Sequence, residues 1–446
     1  MPSSNVGGKV VFPLKTAVMA SISQWLGYGF DAYDMTLVVG LTPFLNKALL
    51  PAKIPSFVAT VIILLGFSTT LLLRPIGSAL FGHYGDKLGR RNTLLMTLSG
   101  LGASSALSAA LPTYGQVGLL AFGLYVTLRG AVGLFAGGEY AAGHPFAMEQ
   151  VTPKWRGTFA GWVQSGWPLG SGLAGTVILL FERWLGPGMY VVGWRYVFLT
   201  GLIPVALGLA VRLAMRDTPL FQELKKIGKV ERTPFFNLFK PPTLWNFLQV
   251  LLVTTGAAIN SYAILMAMLN LIPAAAKAPA EMMALLLLIY GWVGLPLDII
   301  SGTLTDFAGR RRLFIYTSII YGILTIPILY EYSIGFIHGI VNYVYLGLIL
   351  MMLSDCLMWG SMPAYLTERF PTGRRASGVG FGYSAGLIIP AFTSYYIYYL
   401  HTTLSAIEGP IPWLTTAIYF IIGFILFGIG AYLGPETRNI DLREIK

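Results

Sequence analysis

Apolar runs long enough to cross a lipid bilayer recur along the whole sequence and constrain its fold more than any other feature. A transmembrane helix needs about 20 mostly apolar residues. We find about twelve such spans, numbered 1 to 12 in chain order, at roughly 17–44, 57–81, 93–112, 116–148, 157–181, 193–214, 242–270, 283–301, 313–334, 339–367, 376–400 and 413–434. Only 11% of the 446 residues are charged, against about 25% in soluble domains. The sequence therefore predicts an all-α membrane protein with twelve transmembrane helices.

The basic excess of the chain follows from membrane topology. The net charge is +11, and if the N-terminus is cytoplasmic, 23 of the 30 Lys and Arg residues fall in cytoplasmic segments and five in outer loops. Cytoplasmic loops of membrane proteins carry such an excess. We therefore predict a multi-pass protein of the cell membrane, monomeric in the lipid bilayer, with both termini cytoplasmic and no nucleic-acid partner.

Three polar landmarks occur twice at a nearly constant offset. "GHYGDKLGRR" at 82–91 and "GTLTDFAGRR" at 302–311 share the pattern G-x-x-x-D-x-x-G-R-R, 220 residues apart. "EQVTPKWRG" recurs as "ERFPTGRRASG", and "RDTP" recurs as "PETR", with 219 residues between the acids. Spans 1–6 and 7–12 are therefore two copies of one six-helix unit. We predict an N-terminal bundle at 1–214, a cytoplasmic linker at 215–241 and a C-terminal bundle at 242–446.

Two parallel six-helix halves with this motif after spans 2 and 8 resemble the major facilitator superfamily. Within it, "LLRPIGSALFGHYGDKLGRR", "LRGAVGLFAGGEYAAG" and "ERFPTGRRASG" are similar to metabolite:proton symporters, and "DAYD" at 31–34 is similar to phosphate:proton symporters. Span 7 lacks the Trp and Asp with which phosphate symporters grip their ligand, which argues against a phosphate substrate. The resemblance implies two pseudo-symmetric bundles around a central cavity, and transport by alternating access.

The repeated turns are predicted to close the cytoplasmic side. Gly82 and Gly89 allow helices to approach closely, and Asp86 near the start of span 3 would complement a helix dipole. The resemblance implies a latch between the halves, whereas a plain positive-inside anchor is the alternative. The predicted gate residues are Gly82, Asp86, Gly89, Arg90, Arg91, Glu149, Asp298, Gly302, Asp306, Arg310, Arg311, Glu368, Arg374 and Arg375.

Charged residues inside the spans are candidates for proton coupling, because each costs at least about 2.5 kcal/mol at mid-bilayer. We select Asp31, Asp34, Arg129 and Glu139. Asp34, together with Asp31, is predicted to pair with Arg129 while it is ionised. Protonation of Asp34 would neutralise its carboxylate and leave Arg129 without a counter-ion. Offsetting Asp34, Arg129 and Glu139 by 219 residues gives Val253, Leu348 and Met358, so the second half lacks these charges. A static ion pair between spans 1 and 4 is the alternative, and we expect Arg74 to be structural.

Polar and aromatic residues facing the space between the halves are the candidates for substrate binding. We select Arg129, Gln164, Trp167, Asn260, Tyr262, Asp355, Trp359 and Tyr383. Gln164 and Tyr383 correspond in the repeat and are expected to flank the site. Together with the resemblance, Arg129 favours proton-coupled symport of a small polar, anionic metabolite, with protons as the coupling ion and no other cofactor.

Other transport modes stay open. An uncoupled facilitator or a proton antiporter of the same fold, or a symporter of sugars or amino acids, would share these features. An enzyme is disfavoured, because the sequence contains neither H-E-x-x-H nor G-K-[ST] and only four His residues. We predict no metal site.

Overall fold

Helices make up nearly all of the protein in the computed structural model, which describes residues 4–6, 9–11, 14–88, 90–213, 234–442 and 445. The exception is a hairpin of two antiparallel strands, β1 (Ser4–Val6) and β2 (Lys9–Val11), ahead of the first helix.

The first half contains ten helices within the described residues. They are α1 (Leu14–Gly40), α2 (Thr42–Leu49), α3 (Ser56–Leu88), α4 (Arg90–Leu107), α5 (Tyr114–Val117), α6 (Leu120–Met148), α7 (Arg156–Gln164), α8 (Gly166–Leu185), α9 (Gly193–Thr200) and α10 (Leu202–Leu213). Short 3₁₀ turns at Ser108–Ala110, Pro153–Trp155 and Gly186–Tyr190 connect them.

The second half repeats this plan. Its described helices are α11 (Pro234–Asn237), α12 (Thr243–Tyr262), α13 (Ile272–Ala275), α14 (Ala280–Ala308), α15 (Arg310–His338), α16 (Val341–Trp359), α17 (Met362–Thr367), α18 (Arg375–Gly386), α19 (Thr393–Glu408) and α20 (Trp413–Leu433). A π-helix, Ala263–Leu271, continues α12 into α13, and 3₁₀ turns occupy Thr372–Arg374 and Pro390–Phe392.

Nine segments of the described chain are helices long and apolar enough to cross a membrane. The other three predicted spans are present as α1, α7 with α8, and α18 with α19, which do not meet the same criterion of length and composition. Most residues of α1 and α18 are buried, so their polar side chains face protein instead of lipid, whereas α19 exposes Tyr396 and Tyr399. The all-α membrane fold is confirmed. The domain boundaries stay predictions, since 214–233 lie outside the described residues.

The two halves meet through closely packed helices. A side chain at Gly302 on α14 would place its Cβ 2.4 Å from the carbonyl oxygen of Gly157, so the backbones of α14 and α7 touch there. Between α14 and α15, Gly309 has φ of 92°, a conformation that favours glycine. Gly82 departs from the prediction, because it lies inside α3 and its Cβ would meet nothing within 4 Å.

We call the side that the positive-inside rule assigns to the cytoplasm the inner face, and the opposite side the outer face. At the outer face, the ring of Phe57 packs 5.8 Å from that of Tyr398, and Arg183 forms an exposed ion pair with Glu281 at 2.9 Å. Helices of the two halves are thus in contact near both faces, which leaves a narrow cavity between them.

Candidate transport site

The cavity lies between the two halves, near the middle of the membrane-spanning helices. Its volume is about 30 Å³, which is room for one or two water molecules. Its walls are formed by Tyr28, Gln164, Trp167, Pro168, Ser261, Tyr262, Tyr290, Gly294, Asp298, Met352, Asp355, Cys356, Trp359 and Tyr383. Six of the residues predicted to bind substrate are among them: Gln164, Trp167, Tyr262, Asp355, Trp359 and Tyr383.

Two carboxylates lie on the second-half wall of the cavity. Asp355 on α16 accepts hydrogen bonds from Ser261 at 2.5 Å and from Tyr290 at 3.4 Å. The indole of Trp359 donates to the Ser261 hydroxyl at 2.6 Å, which orients that hydroxyl. Asp298 on α14 was predicted as a gate residue, but it lines the cavity and interacts electrostatically with Asp355. Asp298 follows Tyr290 by two helical turns, so both side chains lie on the face of α14 that lines the cavity.

Tyrosines and an amide form the opposite wall. The Gln164 amide donates to the Tyr28 hydroxyl at 3.3 Å. The Tyr383 ring stacks on Tyr140 with centroids 3.5 Å apart, and its hydroxyl interacts with Tyr28 and with Arg74. Tyr383 therefore connects the cavity with a buried arginine that the cavity does not itself expose.

Two buried ion pairs lie along α1. Arg129 donates to Asp34 at 2.7 Å, and Arg74 donates to Asp31 at 2.6 Å, with all four side chains at most 1% exposed. The partner of Asp31 is thus Arg74 and not Arg129, which corrects the prediction. Residues three apart lie on one face of α1, so each carboxylate reaches a different neighbouring helix, α3 or α6.

Three predicted residues lie away from the cavity wall. Arg129 also donates to Ser108 at 2.8 Å and lies over the Phe198 ring, so its guanidinium is held inside the first half. Asn260 faces α16 and donates to the Met358 sulfur at 3.5 Å. Buried Glu139 accepts a hydrogen bond from Thr97 at 3.3 Å. Within the described chain, no three His, Cys, Asp or Glu side chains are grouped as metal ligands.

At the inner face, polar contacts join the halves, and we call them the inner interlock. Asp306 accepts hydrogen bonds from the backbone N–H groups of Gly157 and Thr158, both at 2.8 Å. These N–H groups begin α7, so the acid complements the dipole of a helix in the other half. Asp86 was predicted near the start of span 3, but it lies in the last turn of α3, as Asp306 lies in the last turn of α14.

Ion pairs continue the inner interlock. Arg156 pairs with Glu368 at 3.0 Å, and Arg375 pairs with Glu149 at 2.9 Å, each across the two halves. Arg310 contacts both Asp306 at 3.1 Å and Glu368 at 3.6 Å.

A segment after the last helix also takes part in the inner interlock. The carbonyls of Ile440 and Leu442 accept hydrogen bonds from Arg156 at 3.0 Å and Arg375 at 2.8 Å. Thr437 donates to Glu368 at 2.6 Å. The interlock therefore joins both halves with residues 434–442.

The remaining predicted gate residues have other positions. Arg311 donates through its backbone N–H to Glu436 and through its side chain to the Tyr432 carbonyl. Arg374 donates to Thr243 at 2.9 Å. Gly89 lies outside the described residues, as do the side chains of Asp86, Arg90 and Arg91.

Sequence reasoning missed several residues of the site. Tyr28, Ser261, Tyr290 and Cys356 line the cavity, and Arg156 belongs to the inner interlock. Helical spacing offered a signal for two of them: Tyr28 is one turn before Asp31, and Tyr290 is two turns before Asp298.

Two helical halves around a central cavity, with an interlock at one face, define a secondary transporter of the major facilitator type. The family model described as "Sugar (and other) transporter" matches residues 16–233 and 222–446. The chain belongs to this family, and it is a membrane transporter of small molecules rather than an enzyme.

Known relatives differ in the solutes that their names give. A putative metabolite transport protein of Haemophilus influenzae is 32% identical over 86% of this chain and 88% of its own length. A shikimate transporter of Escherichia coli is 26% identical over 96% of both chains, and a proline/betaine transporter of the same organism is 25% identical over 98% of this chain and 85% of its own. The proton:xylose symporter XylE, a solved structure, has a TM-score of 0.77 at 18% identity over 97% and 98% of the two chains.

Proposed function

We propose that this transporter couples the uptake of a small polar metabolite to the inward movement of protons, by alternating access to the central cavity. The observation that carries the proposal is the buried pair of Asp31 and Arg74, which reaches the cavity through Tyr383. The pair of Asp34 and Arg129 lies further inside the first half and is the second candidate for proton binding.

The physical coupling follows from the burial of the pair. A proton that arrives from the outer face and binds Asp31 neutralises the carboxylate and leaves Arg74 without its counter-ion. Loss of one partner of a buried pair costs about 3–5 kcal/mol. A substrate group with negative charge near Tyr383 would offset this cost. Proton and substrate then favour each other's binding, and the coupling is reciprocal.

The inner interlock supplies the conformational part of the proposal. Its ion pairs and helix-capping bonds stabilise a state that is closed toward the cytoplasm. Opening at the inner face requires these contacts to separate, and substrate release would follow there. The same contacts suit a symporter, an antiporter or a facilitator, so the buried pairs must decide between them.

A transport assay on purified protein in liposomes tests the proposal. The Asp31→Asn and Asp34→Asn variants are compared with wild type for accumulation driven by a pH gradient and for exchange without one. The probes are glycine betaine, L-proline, shikimate and D-xylose. We expect Asp31→Asn to lose accumulation and to retain exchange.

The matched control is Glu281→Gln, which removes an exposed acid at the outer face, where Glu281 pairs with Arg183. It should retain both activities. Accumulation by wild type that ignores the pH gradient, or full accumulation by both aspartate variants, would show that the protein is not a proton symporter of this kind.

A further inference from the structure

We infer that the substrate is a zwitterion, with an ammonium group bound at the second-half wall of the cavity and a carboxylate bound on the side formed by Tyr28 and Tyr383. This inference rests on the proposed function, because it takes the central cavity as the transport site. It replaces the anionic metabolite expected from the sequence.

The second-half wall offers two carboxyl groups whose negative charge no protein cation among the described lining residues stabilises. Asp298 and Asp355 are 3% and 7% exposed, and both line the cavity. No side chain of the described residues donates to Asp298 Oδ1. The described lining residues also include no Lys, Arg or His. Buried carboxylates are costly unless a partner pairs with them, so this wall favours a cationic group.

Aromatic rings surround the same carboxylates. Tyr262, Tyr290 and Trp359 line the second-half wall, and Trp167 faces them from α8, where it interacts with the Tyr290 hydroxyl. Aromatic faces attract ammonium groups by about 0.5–2 kcal/mol each, and sets of rings recognise quaternary ammonium ligands. The combination of rings and acids therefore fits a primary, secondary or quaternary ammonium group.

The side of the cavity that Tyr28 of α1 and Tyr383 of α18 form has the opposite character. The hydroxyls of Tyr28 and Tyr383 can donate to a carboxylate, and Arg74 lies behind Tyr383. When Asp31 is protonated, Arg74 becomes an uncompensated positive charge on this side. A zwitterion then meets negative charge at one end of the cavity and positive charge at the other.

Neither a pure anion nor a sugar matches both walls. An anion without nitrogen, such as shikimate, would meet like charge at Asp298 and Asp355. A neutral sugar would leave the two carboxylates, and Arg74 once Asp31 is protonated, without a charged partner. Among the relatives, the name proline/betaine transporter describes two zwitterions.

Cys356 allows substrate binding to be measured directly, because it is the chain's single cysteine and it lines the cavity. Solutes that occupy the cavity should slow its reaction with a maleimide. The panel is glycine betaine and the common amino acids as zwitterions, with choline as a cation, shikimate as an anion and D-xylose as a neutral sugar. We expect protection by one or more zwitterions, and weak or no protection by the other three.

Transport of the protecting zwitterion in liposomes then tests the carboxylates. Asp355→Asn and Asp298→Asn should each raise KM at least about tenfold, as expected for loss of a charged partner. The Glu281→Gln control should leave KM unchanged. A thermal unfolding transition for each variant shows that it is folded, and the two variants test the wall independently.

The outcomes separate this inference from the proposed function. Shikimate or D-xylose uptake driven by protons, with no zwitterion bound, would overturn the zwitterion and keep the symporter. Zwitterion uptake that ignores the pH gradient would keep the zwitterion and overturn the symporter. Failure of every zwitterion to protect Cys356, or unchanged KM in both aspartate variants, would also overturn the inference.

Discussion

At the scale of single residues, the two aspartates of α1 show how burial decides partners. Asp31 and Asp34 are one helical turn apart, yet Asp31 pairs with Arg74 and Asp34 pairs with Arg129. Each pair is almost fully removed from water, so neither aspartate can exchange its arginine for solvent. Only the Asp31 pair is linked to the cavity by the contacts described here, through Tyr383.

Removing Arg74 should therefore destabilise the protein, and a second substitution at Asp31, but not at Asp34, should restore most of the lost stability. We expect Arg74→Gln to cost about 3–5 kcal/mol, because it leaves the Asp31 carboxylate buried and unpaired. Adding Asp31→Asn should recover most of the loss. The measurement is thermal unfolding in detergent. Recovery by Asp34→Asn instead, or by neither change, would contradict the assigned pairs.

The charged residues of these pairs were predictable, but their pairing was not. Asp31, Asp34 and Arg129 stand out in the sequence because charge is rare inside apolar spans. Arg74 stood out less, since its distance from Asp31 depends on how α1 and α3 pack. Contacts between helices, such as that of Asp31 with Arg74, depend on how each helix is rotated about its axis and on the angle at which the two helices pack. The sequence gives the spacing of residues along one helix but neither of these two quantities.

At the scale of elements, α7 and α14 form the principal contact of the inner interlock. Their backbones meet at Gly157 and Gly302, and Asp306 caps the beginning of α7. Glycine permits the two backbones to approach closely. The hydrogen bonds from the beginning of α7 to Asp306 fix the position of α7 relative to α14. The repeated motif predicted that this region joins the halves, but the position of its acid at a helix end was visible only in the structure.

Adding one methyl group at Gly302 should separate α7 from α14. The new Cβ would lie 2.4 Å from a backbone oxygen, and overpacking of this kind costs about 1–3 kcal/mol. We expect Gly302→Ala to speed maleimide labelling of Cys356 in inside-out vesicles about tenfold.

Gly322→Ala is the matched control for the Gly302 change. Its Cβ would meet its nearest neighbour, a carbon of Phe424, at 4.0 Å, so it should leave the labelling rate unchanged. Equal rates in wild type and Gly302→Ala would show that this crossing does not close the inner face.

The cap on α7 can be weakened without changing its size. Asp306→Asn keeps the shape of the side chain but removes the charge that three donors of Gly157 and Thr158 share. Loss of charge-assisted bonds costs about 1.5–3 kcal/mol, so Cys356 should again be labelled faster from the inner side. Glu281→Gln serves as the control, and a labelling rate like wild type in Asp306→Asn would argue against the cap.

At the scale of the whole molecule, two similar bundles carry different chemistry. The first half holds the two buried ion pairs of α1, whereas the second half holds the carboxylates of the cavity wall. The sequence repeat predicted the shared architecture, because it preserves the polar turns. The division of chemistry was predictable only in part, since Asp298 appeared to belong to a turn and proved to face the centre.

The two charges of the ion pair between Glu149 and Arg375 should be exchangeable between the two positions. Glu149→Lys and Arg375→Glu should each lower transport of the protecting solute at least about tenfold, since each places like charges together. The double variant should recover part of the activity, and initial uptake rates in liposomes measure this. A double variant no better than either single one would show that the 2.9 Å pair contributes nothing to docking.

Because residues 434–442 take part in the inner interlock, their contacts contribute to closing the inner face in the proposed transport cycle. The carbonyls of Ile440 and Leu442 accept hydrogen bonds from Arg156 and Arg375, the two arginines that bridge the bundles. Separation of these arginines therefore requires at least one of the two hydrogen bonds to break. A fused tag or a bound soluble protein that pulls this segment away from the inner interlock would remove these hydrogen bonds, and under the proposed mechanism it would favour opening at the inner face.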